Sequence, residues 1–123
     1  MLKHVSFITA DAEALIAFYT ALGADVTKDL RTAEGFRRVV LSFEGGGRLQ
    51  FFQAKGEMPA PHASWMEHIA LHLSDLKSGV AALKSRGVTF TRELSLSPSG
   101  NPLAFVQDPD GRQVELLQAG SSQ

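Results

Sequence analysis

The sequence predicts an α+β fold built from two βαβββ modules, and three observations carry that prediction. The chain matches itself at a shift of 64 residues, strand-like and helix-like patterns follow the same order in each half, and turn-forming stretches fall at matching places. Under the shift, Lys3-His4-Val5-Ser6-Phe7 falls on Glu67-His68-Ile69-Ala70-Leu71. Asp11 falls on Asp75, Gly23 on Gly87, and Thr27, Lys28 and Leu30 fall on Thr91, Arg92 and Leu94. Glu44 to Arg48 meet Asp108 to Arg112, and one inserted residue after that turn brings Leu49-Gln50-Phe51 onto Val114-Glu115-Leu116. The expected organisation is a single domain, 1–123, with module 1 at about 1–54 and module 2 at about 65–120. Between them lies the Pro-containing linker 55–64, "KGEMPAPHAS".

Each module opens with a strand, at 2–8 and 67–73. In the second copy, alternation sends Ile69, Leu71 and Leu73 to one face and His68, Ala70 and His72 to the other. A helix follows. Asp11 suits the first N-cap and Ser74 or Asp75 the second, because a short polar side chain can accept from the free N–H groups of the first turn. Leu15, Phe18, Tyr19 and Leu22 keep helical spacing, as do Leu76, Val80 and Leu83. Gly23 and Gly87 stand where a helix stops on a residue tolerant of positive φ. Three strands complete each copy, at 25–30, 36–43 and 48–53, then at 88–94, 102–107 and 112–118, with Gly-rich and Asp-Pro-Asp-Gly stretches making the last turns.

The composition narrows function by exclusion. Twelve basic residues against thirteen acidic ones leave no electrostatic footprint for nucleic acid or an anionic membrane. No apolar run approaches the roughly 18–20 residues that span a bilayer, and the N-terminus lacks a signal-peptide pattern, so the expected location is the cytoplasm. With no cysteine, disulfides, thiolate metal sites and cysteine nucleophiles are out.

Four polar residues sit inside apolar strands: His4, Gln50, His68 and Glu115. They form equivalent pairs across the repeat, histidines on the first strands and Gln50 with Glu115 on the last. Leu49 and Phe51, like Val114 and Leu116, are expected to face the helices, which turns Gln50 and Glu115 the other way. First and last strands are expected as neighbours in an antiparallel sheet. Two imidazoles, a carboxylate and an amide oxygen suit a divalent ion with room for water or substrate. A lone strand histidine or glutamate is ordinarily a solvated or hydrogen-bonded group; the symmetric placement of four is what points to a metal. His62 in the linker and His72 beside Ile8's position have no such partners, and ordinary packing or surface roles are expected for both.

The segments "KHVSF", "FYTALGA", "EHIALHLSDL" and "FVQDPDGRQVELLQ" resemble the vicinal oxygen chelate superfamily, which includes glyoxalase I, methylmalonyl-CoA epimerase, extradiol dioxygenases and bleomycin- and fosfomycin-resistance proteins. The resemblance covers essentially the whole chain. It implies paired βαβββ modules forming a cup-shaped mixed sheet around a metal, completed by homodimerisation, and it places the family's four ligand positions on His4, Gln50, His68 and Glu115. Glyoxalase I enzymes generally carry a glutamate at the position of Gln50. Epimerases can carry the His, Gln, His, Glu set, but typically show a His-His pair at Glu67-His68 and a different segment at 97–111. The metal is a divalent ion, with Ni, Co, Zn, Mn or Fe all open.

The leading expectation is a metal-dependent lyase or isomerase of the glyoxalase type acting on a small molecule, with Glu115 as the base that takes a proton next to a substrate oxygen. The alternatives are an Fe(II) extradiol-type dioxygenase using His4, His68 and Glu115, and a metal-free resistance-type binding protein with a groove lined by aromatics among Phe36, Phe51, Phe52, Trp65 and Phe105. Arg37, Arg38, Arg48 and Lys55 are candidates for steering an anionic substrate.

Overall fold

In a computed structural model that describes residues 1–120, the chain forms two compact units, Met1–Ala60 and a second beginning at Pro61. The first unit runs β1 (Val5–Ile8), α1 (Ala12–Ala21), β2 (Asp25–Arg31), β3 (Arg37–Ser42) and β4 (Arg48–Gln53). The second runs β5 (His68–Leu73), α2 (Leu76–Ser85), β6 (Phe90–Leu96), β7 (Pro102–Gln107) and β8 (Gln113–Gln118). Each unit holds one four-stranded mixed sheet, ordered β1-β4-β3-β2 and β5-β8-β7-β6. The α+β class and the βαβββ order therefore follow the sequence pattern.

First and last strands are neighbours in both sheets, but they pair in parallel rather than antiparallel. The connectivity dictates this. The helix carries the chain back so that the second strand starts in the same direction as the first, and two hairpins then return the last strand to that direction. Pairing of β1 begins at Val5 opposite Leu49, so His4 lies just ahead of the strand instead of within it.

The residue that breaks the repeat also sits elsewhere than expected. In β2 one irregularity falls between Val26 and Lys28, and in β6 an equivalent one falls between Phe90 and Arg92. A second irregularity, between Arg92 and Ser95, belongs to β6 alone. Leu30 stands opposite Arg38, and Ser95 opposite Leu103, so Leu30 matches Ser95 rather than Leu94. The extra residue is absorbed as a β-bulge, which takes up one unpaired residue without disturbing the turn that follows.

Both helices start as the sequence implies. Asp11 accepts from the Ala14 amide at 3.1 Å and Asp75 from the Ser78 amide at 3.1 Å. A further tie is common to both units: the last-strand glutamines Gln53 and Gln118 accept from the amides of Ala12 and Leu76, at 2.7 and 2.9 Å. These bonds satisfy donors that a helix start leaves free, and they pin the helix to the strand it packs on. Gly23 and Gly87, at φ of 100° and 76°, stop the helices.

Alternation then sorts the side chains. Val39, Leu41, Leu49 and Phe51 are buried with Leu15 and Tyr19 of α1, and Val106, Val114 and Leu116 with Leu76, Val80 and Leu83 of α2. Phe51 is fully buried, with its ring 5.8 Å from Phe7 and 5.6 Å from Tyr19. Arg37 points to the same helix-bearing side, where it meets Glu13 at 2.5 Å and Asp29 at 2.8 Å. No helix among the described residues is long and apolar enough to cross a membrane.

Two consequences are measurable. Phe51→Ala removes a ring held between two others, and chemical denaturation should show a loss of about 3–5 kcal/mol. The Arg37 side-chain hydrogen bond holds the Asp29 carboxyl below its usual 3.8. A carboxyl depressed on folding adds stability that is present above its unfolded value and lost as pH falls through the folded one. The stability difference between wild type and Asp29→Asn should accordingly be flat above about pH 5 and shrink below 3.8; a difference that grows on acidification contradicts the ion pair.

Candidate functional site

The sheet faces turned away from the helices carry the polar residues that the repeat singled out. In the first unit, Ser6 stands opposite Gln50 in the parallel β1–β4 pair, and Val40 opposite Gln50 in the β3–β4 pair. Since paired residues share a face, Gln50 lies with Ser6, Val40 and, two residues along, Arg38. In the second unit the same register sets Ala70 and Phe105 opposite Glu115. Each histidine is two residues ahead of Ser6 or Ala70, so it reaches the last-strand polar residue diagonally.

Within each unit the histidine meets the last-strand polar residue. His68 Nε2 is 3.1 Å from Glu115 Oε1, with the two side chains 22% and 16% exposed. The other ring nitrogen, Nδ1, is 2.6 Å from the Trp65 carbonyl oxygen. A carbonyl oxygen only accepts, so the ring proton belongs on Nδ1 and a neutral His68 directs the Nε2 lone pair at the carboxylate. Two acceptors at that separation repel unless a cation lies between them, either a second ring proton or a metal ion. Phe105 stands edge-on to the imidazole at 5.1 Å and narrows its freedom to turn.

The first unit is arranged differently. Arg38 Nε donates to Gln50 Oε1 at 2.6 Å, and since a guanidinium has no acceptor this contact fixes which end of the amide is oxygen. The amide nitrogen therefore faces His4 Nε2 at 3.3 Å and Ser6 Oγ at 3.2 Å. His4 Nε2 is an acceptor here. Gln50 is buried, and its oxygen keeps one lone pair beyond the one Arg38 uses.

These donors suit a divalent cation in kind. His68 in its neutral form presents the Nε2 lone pair with Nδ1 held by a backbone carbonyl, the arrangement that fixes the tautomer of metal-binding histidines. Glu115 supplies the negative charge, and His4 a second nitrogen, Nε2, whose lone pair here faces the Gln50 amide nitrogen and would have to leave it to bind a metal. Gln50, turned toward Arg38, is the least committed of the four. Among the described residues no three histidine or acidic side chains gather at one place; the donors come in twos, one pair per unit. His62 bonds the Ser64 amide through Nδ1 at 3.0 Å and lies 3.5 Å from Glu67. His72 is exposed.

Sequence reasoning left Arg38 undistinguished from its neighbours and missed Ser6 and the Trp65 carbonyl. Strand alternation was the available signal for Arg38, since it puts Arg37 on the helix side and Arg38 on the side of Gln50. Nothing in the pattern marked the Trp65 carbonyl, because a backbone acceptor carries no side-chain signature. Of the aromatics considered for a groove, Phe51 is core and Phe105 supports His68, while Trp65 is exposed.

The chain belongs to the Glyoxalase/Bleomycin resistance protein/Dioxygenase superfamily, whose profile matches residues 1–116. It is 31% identical over 127 residues to a lactoylglutathione lyase of Salmonella typhimurium, covering 96% of this chain and 92% of that one. The trypanothione-dependent glyoxalase I of Leishmania major superposes with a TM-score of 0.72 at 29% identity, over 94% of this chain and 84% of that chain. Glyoxalase I from Zea mays shares the fold at a TM-score of 0.80 and 22% identity, over 97% of this chain and 44% of that chain.

Nitrogen-15 spectra of the metal-free protein should show His68, when neutral, with its proton on Nδ1; a ring protonated on Nε2 would contradict the geometry derived above.

Proposed function

We propose that the chain is a divalent-metal-dependent lyase or isomerase of the glyoxalase type, acting by proton abstraction next to a substrate oxygen. His68 facing Glu115 carries this reading, because an imidazole locked with its lone pair toward a carboxylate calls for a cation. In this proposal the two modules, about 1–54 and 65–120 with the linker 55–64, work as one domain. His4, His68 and Glu115 hold the metal, with Gln50 as fourth donor through the second lone pair of its amide oxygen. The ligand is a small molecule and the working form a homodimer.

A bound divalent ion supplies Lewis acidity, which makes the C–H beside a coordinated oxygen easier to ionise. The chain's own residues do the rest. Glu115 takes that proton and returns it to the adjacent carbon, a net isomerisation in which atoms balance. His68 is held in one tautomer by Trp65 and in one orientation by Phe105, so the Glu115 oxygen has a fixed neighbour. Gln50 is an amide and accepts no proton at ordinary pH, so the base role rests on Glu115 alone.

One observation favours a second reading. With the Gln50 oxygen turned to Arg38, the remaining donors are two histidines and one carboxylate, the set that suits a non-haem Fe(II) oxygenase with open positions. Oxygen uptake with a catechol under Fe(II) would select it, while turnover without oxygen demand selects proton transfer.

Elemental analysis of the purified protein, with nickel, cobalt, zinc, manganese and iron offered in turn, should find a stoichiometric divalent ion that chelators remove. His68→Ala and Glu115→Ala should both lose it, whereas wild type that retains none of these ions refutes the proposal. Glu115→Gln should lower turnover of the glutathione–methylglyoxal adduct to lactoylglutathione by about 100- to 10,000-fold, provided that metal content is matched; an unchanged rate removes Glu115 as the base.

A further inference from the structure

Two consecutive arginines on β3 meet opposite fates. Arg37 is spent on the helix side, where Glu13 and Asp29 neutralise it. Arg38 lies on the open face of the first sheet, half-buried, with Nε bound to Gln50 at 2.6 Å. That bond uses one corner of the guanidinium. Its end-on edge, the Nη1 and Nη2 pair, has no hydrogen-bond or ion-pair partner among the described residues. An Nη pair is a bidentate fork matched to a carboxylate, and the Nε contact holds it in place before any ligand arrives.

That face carries two further basic residues, beyond the apolar Leu30 and Phe52 that stand opposite Arg38. Lys28 stands opposite Val40 and Arg48 opposite Ser42, which puts both on the side of Arg38 and Gln50. The carboxylate that the register places there, Asp25, is opposite Ser42 at the far end of β3, about 13 Å away along the strand. Among the described residues of these strands no other carboxylate shares this face, while Gln50 lies beside Arg38 and His4 reaches Gln50 from its other end. The sheet thus offers a fixed positive fork next to Gln50.

We propose that Arg38 is a specificity-determining residue that binds a carboxylate of the substrate through its free guanidinium edge. This rests on the reading that His4 and Gln50 belong to the functional site, and it narrows the substrate to an anion that carries a carboxylate. A 2-oxo acid has that chemistry, and its methyl ester keeps the oxygens while losing the charge.

The test is calorimetric binding of pyruvate and methyl pyruvate to wild type, Arg38→Met and Arg38→Lys, each with and without stoichiometric zinc. Pyruvate affinity should fall by about tenfold or more in Arg38→Met, methyl pyruvate affinity should stay level, and Arg38→Lys should recover part of the loss because it restores charge without the fork. An unchanged pyruvate affinity in Arg38→Met overturns the proposal. So does an equal loss for acid and ester, which would mark a general disturbance, and so does a wild type that binds no pyruvate in either state. If wild type takes up no zinc yet shows Arg38-dependent pyruvate binding, the anion site stands and the metal-dependent reading of the preceding section falls.

Discussion

The parallel contact between the first and last strands of each unit is the constraint on which everything else depends. A strand, a crossover helix and two hairpins leave the last strand running with the first, and hydrogen bonding then locks their register. Because side chains alternate strictly, that register decides which residues meet. With Ser6 opposite Gln50 and Ala70 opposite Glu115, the histidines two residues upstream reach the polar residues across the pair. A slip of one residue would bury Gln50 and Glu115 under the helices and put Leu49 and Val114 outside. The packing of Phe51, Val114 and Leu116 therefore holds the site in place even though none of them touches it.

The two units build on the same frame and use it for different chemistry. In the second, a backbone carbonyl sets the histidine tautomer and a carboxylate faces the resulting lone pair, which creates a demand for positive charge. In the first, a fixed positive charge is already present: Arg38 holds the amide oxygen of Gln50, and the amide nitrogen faces His4. Two differences on this face underlie that contrast: Gln50 and Arg38 in the first unit stand where the second has Glu115 and Leu103. A carboxylate in place of Gln50 would pair with Arg38 outright and would neutralise the fork.

Much of this was legible in the residues, for identifiable reasons. The repeat, the caps at Asp11 and Asp75, and the inward and outward faces of β4 and β8 follow from local rules that operate within a few residues. What stayed hidden depends on contacts distant in sequence. The parallel sense of the first and last strands emerges only when all five elements are threaded together. The bulge between Arg92 and Ser95 shows itself through pairing with β7 and has no glycine to announce it. The Trp65 carbonyl acts through the backbone, and the choice of Arg38 over Arg37 needed the register of β3 against β4.

The most direct test of the central claim is anomalous diffraction from crystals grown with zinc or cobalt, recorded on either side of the metal edge. The account predicts a peak at coordination distance, about 2.0–2.2 Å, from both His68 Nε2 and a Glu115 carboxylate oxygen. Crystals in which that position stays empty, with His68 and Glu115 in direct contact while metal binds elsewhere or not at all, would contradict it.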